Sequence, residues 1–314
     1  MKKWFLPAIA LVAALLAFRI AVPGSHGLAD SEATVVSAVG VAQVDGQTAF
    51  VEVTLAVPRG LDEHVAAQAA LREQGARPIA PRDLQSENFT TTGLAWDQFS
   101  DGDAGNDSVV QNYNPNGDPT GGFGDDVLLA THATWTDVPT SKFAFSYGGT
   151  TNRCPSLVRE CAGPQVFDGF NDVGWGALSC NVMRCTLGVT WSSSSVDEAD
   201  VWLNTAAAWH AGATACTNVV GQFDLQTVTA HEQGHVAGLG HSTVQAALMY
   251  ARYQGAHCQL HQDDIDGITF LYPDGPAPTP TGTSTPTNTP DPAASPTPTP
   301  TPNCPPGHAR RGLC

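Results

Sequence analysis

The strongest periodicity in the chain is helical. Leu225, Val228 and Val236 recur at helical spacing on one face with His231, Glu232 and His235, and Asp224 stands ahead of them as an N-cap. Gln226 and Gln233 fall on the other side, which predicts a polar outer face. A shorter helix is predicted over residues 263–271, with Asp residues at its positive N-terminal end and Ile265, Ile268 and Leu271 as its buried side. Residues 61–74 are rich in Ala, Glu and Gln and stop at Gly75, predicting a third helix. Strand signals are shorter. Residues 49–57 (Ala-Phe-Val-Glu-Val-Thr-Leu-Ala-Val) alternate as a half-buried strand does, and residues 142–147, 172–175, 187–191 and 200–204 are further candidates among Gly, Ser and Cys turns.

The pattern changes towards both ends. Lys2 and Lys3 precede an apolar run from Trp4 to Phe18 that Arg19 closes, and small residues follow at Gly27-Leu28-Ala29. This is the layout of a secretory signal peptide, with an apolar run shorter than the ~20 residues of a membrane span. Residues 1–29 are therefore expected to be removed on export, leaving a secreted, extracellular chain with no membrane span. Beyond Pro273 the composition turns to Pro and Thr as far as Pro302, an extended spacer over residues 274–303, ahead of a short Cys-bounded tail, 304–314. Between the ends, residues 30–88 read as a small N-terminal αβ unit and 89–273 as the main domain. Whether the N-terminal unit is a propeptide, an accessory module or a lobe is left open by the sequence.

A hydrophobic fraction of 42% in 314 residues is enough for a packed core. Lys and Arg number 14 against 30 Asp and Glu, a formal charge of −16. Such a surface repels phosphate backbones and anionic lipid, which argues against nucleic acid and membrane-surface partners. Nothing in the composition fixes the oligomeric state, and a monomer is the default. Eight cysteines, an even number in an exported chain, read as disulfides. Close spacing suggests Cys154 with Cys161, Cys180 with Cys185 and Cys304 with Cys314, leaving Cys216 for Cys258. With no CxxC pair, a zinc-thiolate site is the weaker reading. Residues 101–126 are dense in Asp, Asn and Gly and offer oxygen ligands for Ca2+, but without EF-hand spacing a solvated acidic loop is the simpler reading.

Residues 231–241 read His-Glu-Gln-Gly-His-Val-Ala-Gly-Leu-Gly-His and fit HExxHxxGxxH at every defined position. Histidines four apart on a helix share a face, so His231 and His235 can reach one Zn2+ ion. Gly238 can take the left-handed conformation that ends the helix and turns the chain, bringing His241 to the same ion. Three neutral ligands leave a fourth position open for water, whose pKa falls toward ~7. Glu232, next to the first ligand, is placed to take the water's proton and pass it to a leaving amine. Histidines scattered in a core give no reason for Glu at the second position and Gly at the eighth.

The continuation resembles the matrixins, the matrix-metalloproteinase branch of the metzincins. The residues that carry it are His241-Ser242, Ala247-Leu248-Met249-Tyr250, the run Asp263-Asp264-Ile265-Asp266-Gly267-Ile268 leading to Leu271-Tyr272, and upstream Ala199-Asp200-Val201 and Phe223-Asp224-Leu225-Gln226. The likeness is strong over residues 199–273, weaker over 130–198 and absent elsewhere. It implies an α+β fold: a metzincin-type catalytic domain with a twisted, mostly parallel sheet, an active-site helix, a Met-turn and a C-terminal helix, here joined to the small N-terminal αβ unit. It also implies that Met249 forms the Met-turn beneath the imidazoles, that Tyr253 lines the substrate pocket, and that an extended protein or peptide substrate pairs with an exposed strand edge. Residues 187–191 and 200–204 both compete for that edge. There are departures. No cysteine precedes Cys154, so latency through a propeptide thiol has no residue to perform it. The His-Gly-Asp segment for a second zinc is missing between Asn204 and Asp224, Gln233 replaces an apolar residue, and Ala251 stands where proline is common. The function expected is a secreted zinc endopeptidase; the alternative is a catalytically inert adhesion or binding protein on a Thr/Pro stalk.

Overall fold

The alternation in residues 49–57 does form a strand, but a longer and deeper one than a half-buried strand. In the computed structural model, which describes residues 33–79, 89–100, 107–155, 167–195, 197–212 and 216–275, β2 (Gln47–Pro58) is buried continuously from Val51 to Val57. Its partner β1 (Ala33–Val44) forms a hairpin with it through the turn at Asp45 and Gly46, both at positive φ. Helix α1 (Glu63–Glu73), capped by the Asp62 carboxylate, ends at Gly75 and packs Ala66, Ala67, Ala70 and Leu71 onto this hairpin; β3 (Arg77–Pro78) then pairs with β1. Alternation without half-exposure has a simple cause: α1 covers one face of β2, and the helix carrying the HExxH motif covers the other.

The remaining strands are β4 (Val109–Tyr113), β5 (Phe145–Thr150), β6 (Asn171–Gly176), β7 (Cys180–Asn181), β8 (Arg184–Ser193) and β9 (Ala199–Asn204), followed by the short pair β10 (Trp209–His210) and β11 (Phe223–Asp224). The main sheet runs β3-β1-β2-β8-β9-β6-β4-β5, with β7 paired to β8. Strands β5, β4, β6 and β9 are mutually parallel, β8 is antiparallel to β9, and the hairpin adds antiparallel strands outside β8. Residues 33–78 therefore continue the sheet of the main domain, and all described residues fall within one compact unit. The strand expected at 142–147 starts later, at Phe145, because Ser141, Lys142 and Asp274 are tied in a bridge between residues 141 and 273.

Helix α2 (Gly124–Thr136) carries little sequence signal, since its buried face mixes Val127, Leu128 and Trp135 with Thr131 and His132. The motif helix α3 (Leu225–Val236) starts where expected, with the Asp224 carboxylate accepting from Thr227 N (2.8 Å). Its polar outer face does not exist. Gln233 is wholly buried and Gln226 half-buried, because sheet, α2 and the segment after Ala247 enclose α3 on all sides. The Trp135 and Trp96 indoles donate to the carbonyls of Ala230 (2.9 Å) and Val236 (2.8 Å), and the Tyr272 hydroxyl to Ala237 (2.8 Å), anchoring the helix laterally. In α4 (Gln262–Leu271) the buried side is Asp263, Asp264, Gly267 and Ile268, whereas Ile265 and Leu271 are half-buried.

Disulfides join Cys180 to Cys185 and Cys216 to Cys258. The second clips the approach to α3 onto the loop before α4, where His257 N also donates to Thr227 Oγ1 (2.8 Å). Cys161, Cys304 and Cys314 lie outside the described residues, as do the signal segment 1–29 and nearly all of the spacer and tail. No helix among the described residues is long and apolar enough to cross a membrane.

Candidate metal centre

The three motif histidines converge. Gly238 has φ +93°, and a Cβ there would lie 2.4 Å from the Leu94 carbonyl oxygen, so only glycine lets the chain turn after α3 and return His241 to it. His231 Nδ1 lies 2.8 Å from Leu248 O, and His235 Nδ1 2.8 Å from Leu239 O. A carbonyl only accepts, so both Nδ1 atoms carry protons and both Nε2 atoms face inward, 3.2 Å apart. Burial lowers the His231 imidazole to about 3, helped by His241, lowers His241 to about 4, and holds His235 well below its ordinary value. All three rings are neutral near pH 7, and neither Nε2 of the close pair has a proton to share.

A cluster of lone pairs is repulsive unless a cation sits among them. Two ligands ~2.0–2.1 Å from one tetrahedral zinc lie roughly 3.3–3.4 Å apart, close to the separation found here. The donor atoms of His231, His235, His241 and Glu52 all fall within 4.8 Å of one another. His241 Nε2 is buried without a hydrogen-bond partner, and the buried Glu52 carboxylate has no more than the Ala38 backbone amide to favour its charge. The residues present thus fit a divalent metal with nitrogen and oxygen ligands.

Glu232 is fully buried. Its Oε2 accepts from the Thr190 hydroxyl on β8, and the Thr54 hydroxyl on β2 also favours its charged form. Gly188 lies over it, and a Cβ there would come within 2.9 Å of Oε1. Burial first, and the Glu52 carboxylate second, raise the Glu232 carboxyl to about 8, so it can exchange a proton near neutrality.

Met249 is buried against Gly234, between the two helical histidines. The turn holding it is fixed by Asp264, whose carboxylate accepts from Leu248 N (2.8 Å), Met249 N (3.0 Å) and His261 N (2.8 Å). Tyr253 is half-buried, its hydroxyl accepting from Asp224 N (3.1 Å) and its ring against Phe223. It lines a cavity of about 200 Å³ that adjoins His231 and is bounded by Val228, Leu248 and Ala256, with Val35, Ser37 and Thr54 closing it from the hairpin. Of the two candidate edge strands, β9 is interior to the sheet, and β8 has its outer edge paired with β2.

Three residues of the site escaped sequence reading. Asp264 reads as a helix-dipole residue, Thr190 as strand filler, and Glu52 as the outward, polar position of an alternating strand. The one usable signal for Glu52 is an acid flanked by Val51 and Val53 in a run whose other residues, Thr54 apart, are apolar. In the acidic segment, Asp118 spends its oxygens on Tyr113 Oη, Thr120 and Gly124 N, and no group of potential metal ligands converges there among the described residues.

Residues 172–273 match the matrixin family. Similar proteins include interstitial collagenase of Oryctolagus cuniculus, 52% identical over 56 residues, covering 18% of this chain and 12% of that protein. Neutrophil collagenase of Homo sapiens is 46% identical over 72 residues (19% and 15%), and metalloendoproteinase 5-MMP of Arabidopsis thaliana 46% over 55 residues (17% and 15%). The alignments thus span less than a fifth of each of these relatives. The matched segment, about a third of the chain, contains the three histidines, Glu232 and Met249, and over residues 172–273 the chain is similar to the matrixins.

Proposed function

We propose that this protein is a secreted zinc-dependent endopeptidase that hydrolyses internal bonds of extended protein substrates, with its metal held by His231, His235 and His241. The observation that carries the reading is the meeting of unprotonated imidazole nitrogens, 3.2 Å apart for His231 and His235, beside a buried carboxylate. Bound zinc supplies Lewis acidity, polarising a carbonyl and acidifying water. Glu232 takes a proton from the attacking water and delivers it to the leaving amine, and Thr190 holds the carboxylate in orientation. Tyr253 and the cavity beside His231 receive a substrate side chain, while the edge of β8, paired with β2 in this chain, offers backbone partners to an extended peptide once the propeptide strand has left it. In this reading residues 1–29 direct export, 30–88 form a propeptide and 274–303 a spacer.

The test compares the wild type with Glu232→Ala, each before and after limited trypsin treatment and removal of the trypsin. Casein fragments that a chelator suppresses are expected from treated wild type alone, with one zinc per chain in both proteins. Zinc-loaded wild type that cuts nothing after treatment refutes the reading in favour of an inert scaffold; undiminished cleavage by Glu232→Ala refutes the role of Glu232.

A further inference from the structure

The hairpin and the metal centre belong to one device. We propose that Glu52 is the fourth ligand of the metal and that strand β2 occupies the substrate cleft, so that this chain carries its own inhibitor; the inference rests on the three-histidine centre proposed above.

Strand β2 lies antiparallel along β8, with Glu52 opposite Thr190 and Thr54 opposite Gly188, the two β8 residues that touch Glu232. Side chains alternate across a strand, so Glu52 and Thr54 share one face while Val51 and Val53 take the other, where they pack with α1. The face with Glu52 is the one turned to the histidines. Its Oε1 lies 3.1 Å from His241 Nε2 and 3.7 Å from His235 Nε2, yet hydrogen-bonds neither. Both separations bracket the roughly 3.4 Å expected between two ligands of one tetrahedral zinc ion, which is the vertex an attacking water must have.

A buried carboxylate with no more than the Ala38 backbone amide to favour its charge is costly, and it persists in a fold only if something compensates that charge. No Lys or Arg side chain pairs with it among the described ion pairs; Oε1 faces the imidazole nitrogens of His235 and His241, and a metal held by them supplies the charge.

The hairpin also reaches across the cleft. On the far side, β1 and the start of α1 are bound to the segment after Met249: Ser37 N donates to Ala251 O (3.0 Å), Tyr253 N to Val35 O (3.2 Å), and Arg252 pairs with Glu63 of α1 (2.6 Å). Ser37 Oγ bonds Thr54 Oγ1 (2.9 Å) and lies 3.4 Å from His231 Nε2. A second anchor joins Arg184 of β8 to Glu73 of α1. Both walls of the cleft are therefore engaged by one continuous hairpin, and a peptide substrate would compete for the β8 backbone groups that β2 already uses.

The proposal is tested on the full chain, as wild type, Glu52→Gln and Glu52→Asp, loaded with zinc or with Co2+. Glutamine preserves size and removes the anionic ligand. Loss of even a supporting contact around a metal costs roughly 10–100-fold in affinity, so Glu52→Gln should release zinc to a chromogenic chelator at least about tenfold more readily. Its Co2+ form should change its visible absorption and bind acetohydroxamate, while the wild type binds none. Glu52→Asp, one methylene short, should resemble the glutamine variant. Stoichiometric zinc in all three with the same cobalt spectrum and the same acetohydroxamate binding overturns the ligand assignment and leaves the histidine centre standing. No zinc in any of them overturns both. A variant that merely misfolds is recognised by circular dichroism, and the wild type's refusal or acceptance of acetohydroxamate then decides alone.

Discussion

Gly234 sits inside α3 between the two helical histidines, where helix propensity alone favours alanine by about 1 kcal/mol. The structure predicts the opposite result. A Cβ at this position would lie 2.2 Å from Met249 Sδ, 2.9 Å from Met249 Cε and 2.8 Å from Trp135 Cζ2. Comfortable carbon contacts begin near ~3.5 Å, so both neighbours must give, Met249 by about an ångström or more. Trp135 is fully buried with its indole N–H on Ala230 O, so the larger part of the movement falls on Met249. Two clashes at one site put the cost in the upper part of the usual range for over-packing, about 2–3 kcal/mol, of which about 1 kcal/mol is offset by the propensity gain, so Gly234→Ala should lose about 1–2 kcal/mol. For a domain of this size that lowers Tm by roughly 2–8 °C. Because Leu248 O holds the His231 ring, displacement of the turn should also weaken zinc binding. The assay is thermal unfolding of the zinc-loaded protein with a chelator titration alongside. Repeating the substitution in a Met249→Ala background should recover much of the loss, giving a clear coupling energy. A Tm raised by the single substitution, as on an open helix, would refute the packing argument.

Two further tests concern parts away from the metal ligands themselves. Asp264→Ala leaves two buried amides and one half-buried amide without their acceptor, at about 1–3 kcal/mol for each buried one, so a loss of about 4 kcal/mol is expected in denaturant unfolding; a loss below about 1 kcal/mol would mean that the carboxylate does not hold the turn at Met249. His132, stacked on Phe145 with Nε2 on Gln111 Oε1 (2.7 Å), is lowered by burial to about 4 from the ordinary 6.5. The unfolded chain therefore takes up this proton first as pH falls. The associated stability is complete above pH 6.5 and is lost between about 6.5 and 4, by at most about 3 kcal/mol. The difference in stability between wild type and His132→Gln, measured across that range, should show this slope; a flat difference curve contradicts it.

The sequence was most informative where chemistry imposes fixed spacing. The metal-binding pattern, the Asp224 cap, the left-handed Gly238 and the helix that ends at Gly75 are local: each is set by a few neighbouring residues and survives whatever packs around it. The disulfides of Cys180 with Cys185 and of Cys216 with Cys258 followed from spacing and remainder. Helix α2 did not announce itself, since Thr131 and His132 on its buried face blur the apolar stripe on which such a prediction depends.

Burial on two sides was beyond any single-strand pattern. Alternation in residues 49–57 says which side chains share a face, and so groups Glu52 with Thr54, but a strand's own sequence does not say what covers each face. Likewise Gln233 reads as exposed because polar residues usually are, and only the enclosure of α3 by sheet and neighbouring helices makes it internal. The amino acids by themselves determined which side chains could share a metal, because ligation depends on residue type at short range. Only the tertiary structure decided that a carboxylate some 180 positions upstream lies against the same histidines, because the pairing of β2 with β8 is a property of the assembled sheet.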